Sequence, residues 1–163
     1  MIIVSNAGPL ISLAKIERFE LLRDLFGKLY IPQAVYDEVA VKGAGRAGAN
    51  EVAKAVGDWI ELREVKNRVM VQSLLTKLGK GESEAIALSL KMKANGVLLD
   101  DSKARVTAEF MGLSVAGTIG MLGEAQKKGL ISDLRPLVDK LRDQGFHLGD
   151  QVYAEICRRP TRV

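Results

Sequence analysis

The sequence predicts an α/β domain in which a parallel sheet is covered by helices on both faces. Short apolar runs without polar alternation, such as residues 97–99, are typical of strands buried on both sides. Helical patterns alternate with these runs, and such alternation predicts a three-layer arrangement. The chain of 163 residues has the size of one domain. We therefore expect a single domain, residues 1–163, with a helical extension from about residue 131.

The strands and helices can be placed in order along the chain. The first apolar run is followed by Pro9, which suits the first turn of a helix because an N–H there has no intrahelical partner. The strands are predicted at residues 2–5, 29–31, 59–62, 97–99 and 113–116. Helical patterns lie at residues 9–26, 32–40, 51–56, 69–78, 82–92 and 102–111, and the pattern after Thr118 is entirely helical.

Three specific expectations concern the second half of the chain. The helix after residue 101 is expected to bury one apolar face, made of Val106, Ala108, Phe110 and Met111. Ser132 is expected to cap a helix whose core positions follow the i, i+3, i+4, i+7 pattern, namely Leu134, Leu137, Val138 and Leu141. The chain ends in a basic tail, which is either solvated or in contact with RNA: Arg158, Arg159 and Arg162.

Composition restricts the chemistry that the chain can perform. The lone Cys157 excludes an internal disulfide and a cysteine-rich metal site, and a reducing cytoplasm is the natural compartment. His147 is the only histidine, so an imidazole-rich metal site is excluded, and a packed or surface role is favoured for it over catalysis. Any metal site must then use oxygen ligands. The net charge of +4 permits nucleic-acid binding without requiring it.

Polar side chains follow two of the predicted strands. Asp100 and Asp101 close the fourth strand, and Asn6 closes the first. Ligands of open α/β sheets bind at the carboxyl ends of the strands, and hard divalent cations prefer oxygen ligands there. The alternative is that Asp101 or Ser102 caps the following helix and that Asn6 is a turn residue or a cap. A metal site is favoured over this alternative only if acids from elsewhere in the chain also lie at this edge of the sheet.

Further acids lie on the predicted helices. Glu38 is three residues from the inward-facing Val35, so its side chain can lie near the buried face. Glu82 and Glu84 occupy the first turn of a nearly all-apolar helix, where acids also complement the helix dipole. Each of these residues can alternatively be a solvated or dipole-stabilising acid.

A glycine-rich tract, residues 43–49, is the flexible part of the chain. It lacks the G-K-[S/T] ending of a phosphate-binding loop, so we exclude a nucleotide P-loop. The tract is either a plain connector or a mobile basic flap that carries Lys42 and Arg46 beside a groove.

Four segments taken together resemble the PIN-domain nucleases, and in particular a prokaryotic PIN-like subfamily. These segments are I-V-S-N-A-G-P-L-I-S-L-A-K-I, G-E-S-E-A-I-A-L, L-L-D-D-S-K-A-R and G-T-I-G-M-L, and the resemblance covers almost the whole chain. It implies a sheet of order 3-2-1-4-5, a cluster of carboxylates that binds Mg²⁺ or Mn²⁺, and hydrolytic cleavage of RNA. Some members of the subfamily are proposed toxins, so the resemblance also implies an antitoxin protein and a homodimer or higher homo-oligomer as partners.

The resemblance also implies the site residues. The four metal-binding positions of the family fall on Asn6, Glu38, Glu82 and Asp101, and its small hydroxyl residue falls on Thr118. Auxiliary acids would be Glu84 and Asp100, and the RNA backbone would meet Arg46, Lys80 and Lys103. The family more typically has Asp where this chain has Asn6, and an amide oxygen can bind a hard cation but brings no charge.

The chemistry explains the residue types in this set. One or two divalent ions, about 3.5–4 Å apart when paired, can activate a water and stabilise the phosphate. We interpret Glu82 and Asp101 as direct ligands and Glu38 as a ligand or a base that orients the water. Two other functions stay open: a receiver domain, which usually has an acidic pair after its first strand, and a catalytically weak PIN-like module that binds RNA or a partner protein.

Overall fold

The structure is a computed structural model that describes residues 1–158. Over this range the strands form one five-stranded, all-parallel sheet in the order β3-β2-β1-β4-β5. The predicted fold class and strand order are therefore confirmed. The strands are β1 (Ile3–Ser5), β2 (Leu29–Pro32), β3 (Ile60–Arg63), β4 (Gly96–Leu98) and β5 (Val115–Ala116).

The central strand β1 fixes the edge at which the polar residues meet. Val4 is paired with Tyr30 on one side and with Val97 on the other. Because all the pairings are parallel, the carboxyl ends of the strands lie at one edge of the sheet. Asn6, the residues after Leu98 and the residues after Ala116 consequently leave the sheet at this edge.

Helices connect the strands and cover both faces of the sheet. They are α1 (Ala7–Lys15), α2 (Leu21–Phe26), α3 (Gln33–Tyr36), α4 (Ala49–Ala55), α5 (Arg68–Leu75), α6 (Lys80–Met92), α7 (Ser102–Phe110), α8 (Thr118–Lys127), α9 (Arg135–Asp143) and α10 (Asp150–Arg158). A π-helical segment, Asp37–Lys42, continues α3 without a break. Within residues 1–158, none of the helices combines the length and the apolar composition needed to cross a membrane.

The core is divided by the sheet into two clusters. Ile3 and Leu98 point into a cluster that includes α1, α2, α8 and α9. Val4 and Val97 point to the opposite side, into a cluster that includes α5, α6 and α7. Neighbouring residues of one strand are thus buried on opposite faces, which is why these strands show no polar alternation in the sequence.

The apolar face that the sequence suggested for α7 is partly wrong. Val106 is 67% exposed and Phe110 is 92% exposed, whereas Ala104 and Ala108 are fully buried. Residues 104 and 108 are one turn apart and share a face, and residues 106 and 110 lie on the opposite side of the helix. The two small alanines therefore pack on the core, and two larger apolar side chains are left on the surface.

Several boundaries also differ from the sequence prediction. Residues 9–26 form two helices, because the chain turns at Glu17, whose φ is +58°. Ser132 does not cap α9: the N-cap is Leu134, whose backbone N–H donates to Gln126 Oε1 at 2.7 Å. The four expected core positions of this segment are buried nonetheless. Of the predicted basic tail, Arg159 and Arg162 lie outside the described residues.

Candidate metal centre

Asn6 brings an unpaired oxygen to the carboxyl edge of the sheet. Its backbone N–H donates to the carbonyl of Leu98 at 3.0 Å, which ties the end of β1 to β4. Its side chain is buried, and Oδ1 has no hydrogen-bond partner among the described residues. Leaving a buried polar atom unpaired costs on the order of 1–3 kcal/mol, so such an atom is suited to bind a water or an ion.

Glu38 lies beside this oxygen because Gly81 has no side chain. A Cβ built on Gly81 would be 3.0 Å from Asn6 Oδ1 and 3.1 Å from Glu38 Oε1. The two oxygens, one from the end of β1 and one from the π-helical segment, thus border the same space above α6. Glycine at this position keeps the space open between them.

The electrostatics of Glu38 favour a cation in this space. Burial of its carboxylate raises the pKa of Glu38 above the ordinary value of 4.5, nearby Glu82 raises it further, and Lys42 opposes both effects. Although the residue as a whole is exposed, Oε1 is turned toward the buried Gly81, which explains the desolvation. A divalent cation would relieve the repulsion between the two carboxylates.

The start of α6 fixes the position of Glu82. Its Oε2 accepts a hydrogen bond of 2.9 Å from the backbone N–H of Gly79, three residues earlier. This bond satisfies one of the free N–H groups at the helix start and orients the carboxylate. The half-buried side chain stays close enough to Glu38 to influence its pKa.

The adjacent acids Asp100 and Asp101 have different surroundings. Asp100 accepts hydrogen bonds from the backbone N–H of Thr118 at 2.8 Å and from Thr118 Oγ1 at 2.6 Å. Its Oδ2 would be 3.4 Å from a Cβ on Gly8, in the first turn of α1. Asp101 is exposed and caps α7, since its Oδ2 accepts from the N–H of Ala104 at 3.0 Å. The structure therefore brings Asp100, and not Asp101, into contact with Thr118.

Glu84, an expected auxiliary acid, uses its carboxylate to connect three helices. It is only 3% exposed, and its Oε1 accepts from the backbone N–H of Ala34 at 3.0 Å. Its Oε2 accepts from Arg68 Nη1 at 2.9 Å. With both oxygens engaged, Glu84 joins the start of α3 and the start of α5 to α6, and it thereby supports the segment that carries Glu38.

The basic residues expected to meet RNA are spread over the surface. Lys80 is exposed at the start of α6, next to the candidate centre, and Arg46 is exposed in the turn after the π-helical segment. Lys103 lies on α7 and lines a separate groove together with Lys77 and Val106. Their contacts with RNA stay predictions.

The donor set fits a hard cation without forming a purely acidic site. In the part of the chain that the structure describes, no three His, Cys, Asp or Glu side chains are grouped so that they could hold a metal by themselves. The amide oxygen of Asn6 must be counted with Glu38 and Glu82 to reach three oxygen donors. Oxygen donors of this kind suit Mg²⁺ or Mn²⁺.

Sequence reasoning missed two residues of this region. Gly81 lies just before the helix predicted at residues 82–92, where a glycine suggests a turn, and in the structure it is inside the first turn of α6. Arg105, on α7, was not considered; its Nη1 donates to the carbonyl of Leu99 at 3.3 Å and lies where a Cβ on Gly117 would be. No feature of the sequence distinguishes this arginine from the others.

Comparison with known proteins agrees with this fold. A family model described as a PIN domain matches residues 2–161, which is nearly the whole chain. Curated proteins give no match to the chain. PIN domains are generally nucleases, and they generally use divalent metals. The extent of the match shows that this chain belongs to the PIN-domain family.

Proposed function

We propose that this protein is a divalent-metal-dependent ribonuclease that hydrolyses phosphodiester bonds at the carboxyl edge of its sheet. The observation that carries the proposal is the buried, unpaired Oδ1 of Asn6 beside Glu38 Oε1, with Gly81 leaving the space between them open. Asn6, Glu38 and Glu82 would hold Mg²⁺ or Mn²⁺. A divalent ion in such a site supplies Lewis-acid stabilisation of the phosphate and a bound water of lowered pKa.

Glu38 is suited to accept the proton of the attacking water. A carboxylate whose pKa is raised accepts a proton more readily than an ordinary glutamate, and general bases work best when their pKa approaches the working pH. In the metal-free protein, burial and the neighbouring Glu82 both raise the pKa of Glu38. A bound cation would offset the effect of Glu82, so burial is the contribution that would remain. In this account Glu82 acts as a ligand and Glu38 combines a ligand role with a role in proton transfer.

Asp100 is our choice for the fourth acid, in place of Asp101. Its two hydrogen bonds to Thr118 fix the carboxylate at the start of α8, beside the first turn of α1. Both oxygens of Asp100 retain lone pairs for water or a cation. Asp101, in contrast, is exposed and engaged as the cap of α7.

A second candidate function is a catalytically weak module that binds RNA or a partner protein. The observation that favours it is the amide at position 6, which supplies a ligand oxygen without charge. The toxin role, the antitoxin partner, the homo-oligomer and the cytoplasmic location rest on the resemblance or on composition alone.

The two functions are separated by cleavage of a generic single-stranded RNA with and without Mn²⁺. The nuclease proposal expects metal-dependent hydrolysis that falls at least about a hundredfold in Glu38→Gln, since general bases contribute roughly 10²–10⁴-fold. Glu109→Gln, an exposed acid on α7, is the matched control and should retain full activity. RNA binding without metal-dependent cleavage would favour the weak module.

A further inference from the structure

A groove next to Asp100 has the size of a ligand site. It has a volume of about 680 Å³, within the range of roughly 300–1,000 Å³ that small-molecule sites occupy. It lies along β5 and the start of α8, and it is bordered by the chain segment that leads into α10. Its walls include Asp100, Arg105, Gly117, Ile119, Phe146 and His147.

Arg105 brings a positive charge to this groove, near the carboxylate of Asp100. Its guanidinium donates to the carbonyl of Leu99, and no ion pair holds it among the described residues. A Cβ on Gly117 would collide with Nη1 and would be 3.0 Å from Asp100 Oδ1. Because Gly117 has no side chain, the guanidinium can lie close to the Asp100 carboxylate at the carboxyl edge of the sheet. An arginine fork that is not engaged in a direct ion pair is well suited to a phosphate.

The segment between α9 and α10 contributes an aromatic ring and an imidazole. The backbone N–H of Phe146 donates to the carbonyl of Leu141 at 2.9 Å, and the half-buried ring packs against the core, so the segment is anchored. The next residue, His147, is exposed. Phe146 and His147 also line a second groove, of about 270 Å³, together with Lys15 and Asp100.

The two grooves therefore both reach Asp100 and share the Phe146–His147 wall. A single strand of nucleic acid offers alternating phosphates and flat bases. The cationic and aromatic side chains that line the two grooves are suited to bind these groups. Cations would contact the phosphates, and base stacking on an aromatic side chain is worth about 1–3 kcal/mol. The acids of the larger groove, Asp100 and Glu124, disfavour a ligand made of phosphates alone.

We propose that the larger groove is a nucleotide subsite in which Arg105 and His147 hold a backbone phosphate and Phe146 contacts the adjacent base. The proposal rests on the proposed nuclease function and extends it, because it assigns substrate binding to the segment that precedes α10. The strand would pass Asp100 with one nucleotide in the larger groove and continue toward Lys15 in the smaller one.

The test is binding of a short 2′-O-methyl RNA analogue, measured by fluorescence anisotropy in EDTA, which removes the metal that the proposed cleavage requires. We expect His147→Ala and Arg105→Lys each to weaken binding about tenfold, which corresponds to ~1.4 kcal/mol. Phe146→Leu, which retains an apolar side chain for packing, should weaken binding by a similar factor. Lys128→Ala, an exposed cation at the far end of α8, is the charge-matched control and should bind as the wild type does.

The outcomes separate this proposal from the nuclease function. If the wild type cleaves RNA and His147→Ala binds the analogue with unchanged affinity, the subsite is wrong while the nuclease function stands. If the wild type binds the analogue but never cleaves RNA, and the three variants weaken binding, the subsite is supported while the nuclease function fails. Equal weakening in Lys128→Ala would show that net charge alone governs binding, and it would overturn the subsite.

Discussion

Asn6 Oδ1 and Glu38 Oε1 approach one point in space, the position at which a Cβ on Gly81 would lie, at 3.0 and 3.1 Å from it. One oxygen is at the end of the central strand, and the other is on the π-helical segment that follows α3. π-Helical turns occur frequently at functional sites. The opening between these two oxygens is the basis of the proposed metal centre, and substitutions at and around it test whether a cation binds there.

Gly81→Ala tests whether the opening matters. The added methyl group would occupy the space between Asn6 Oδ1 and Glu38 Oε1, so we expect Mn²⁺ affinity to fall at least tenfold. Alanine favours helix by about 1 kcal/mol over glycine, which offsets part of the steric strain, so the melting temperature should change little. Titration calorimetry with Mn²⁺ measures the effect.

The matched control is Gly120→Ala in α8, where a Cβ would have no neighbour within 4 Å. This variant should gain stability and bind Mn²⁺ as the wild type does. Equal affinity in the Gly81 variant and the wild type would place the metal elsewhere.

Glu38→Gln should raise the stability of the metal-free protein in a pH-dependent way. The pKa of Glu38 is raised in the fold, so between the ordinary value of 4.5 and the folded value the native state binds more protons than the unfolded state. Stability therefore falls as pH rises through this interval, and the loss is complete above the folded pKa. The variant lacks this loss.

Urea unfolding in EDTA at a pH below 4.5 and again near neutrality, about pH 7.5, measures the difference. We expect the variant to exceed the wild type in stability only at the higher pH. A stability difference that is the same at both pH values would contradict the assigned cause of the pKa shift.

Asn6→Asp should strengthen metal binding. A carboxylate adds a negative charge to the ligand set, and hard-cation affinity rises with ligand charge. Without metal, the same charge joins Glu38 and Glu82 and should lower the melting temperature. We expect a larger rise in melting temperature on adding Mn²⁺ than in the wild type, and faster RNA cleavage. A variant that binds Mn²⁺ no better than the wild type would show that residue 6 does not contact the ion.

Asp100→Asn and Asp101→Asn form a pair that decides which of the adjacent acids takes part. Asparagine is as good an N-cap as aspartate, so Asp101→Asn should keep α7, the fold and the cleavage rate. Asp100→Asn weakens the bonds to Thr118 and removes a charge from the edge of the sheet, so cleavage should fall at least about tenfold. Loss of cleavage in Asp101→Asn alone would restore the assignment that the family resemblance implied.

The residue pattern was sufficient to predict the α/β class because buried parallel strands have a distinctive pattern, and the family resemblance supplied the strand order. Runs such as residues 97–99 are apolar at every position, since neighbouring residues point into different cores. The family resemblance placed Asn6, Glu38 and Glu82 in one site. In the structure Asn6 Oδ1 and Glu38 Oε1 border the same space at Gly81, and Glu82 is near enough to raise the pKa of Glu38.

Other features could not be obtained from residue types alone. Asp100 and Asp101 are chemically identical, and only the backbone direction after β4 decides that one contacts Thr118 and the other caps α7. Phe110 was expected in the core with Ala108, but residues two apart lie on opposite sides of a helix, so the burial of Ala108 leaves Phe110 exposed. The grooves beside Asp100 depend on residues 146–147 returning to the sheet from a distant part of the chain.

The most direct test of the metal centre is an anomalous difference map from a crystal of the protein soaked in Mn²⁺. The account predicts a peak within about 2.0–2.6 Å of both Asn6 Oδ1 and a carboxylate oxygen of Glu38, the distance range of hard-cation ligands. A peak bound only at Asp101, or a map with no peak between Asn6 and Glu38 at millimolar Mn²⁺, would contradict it.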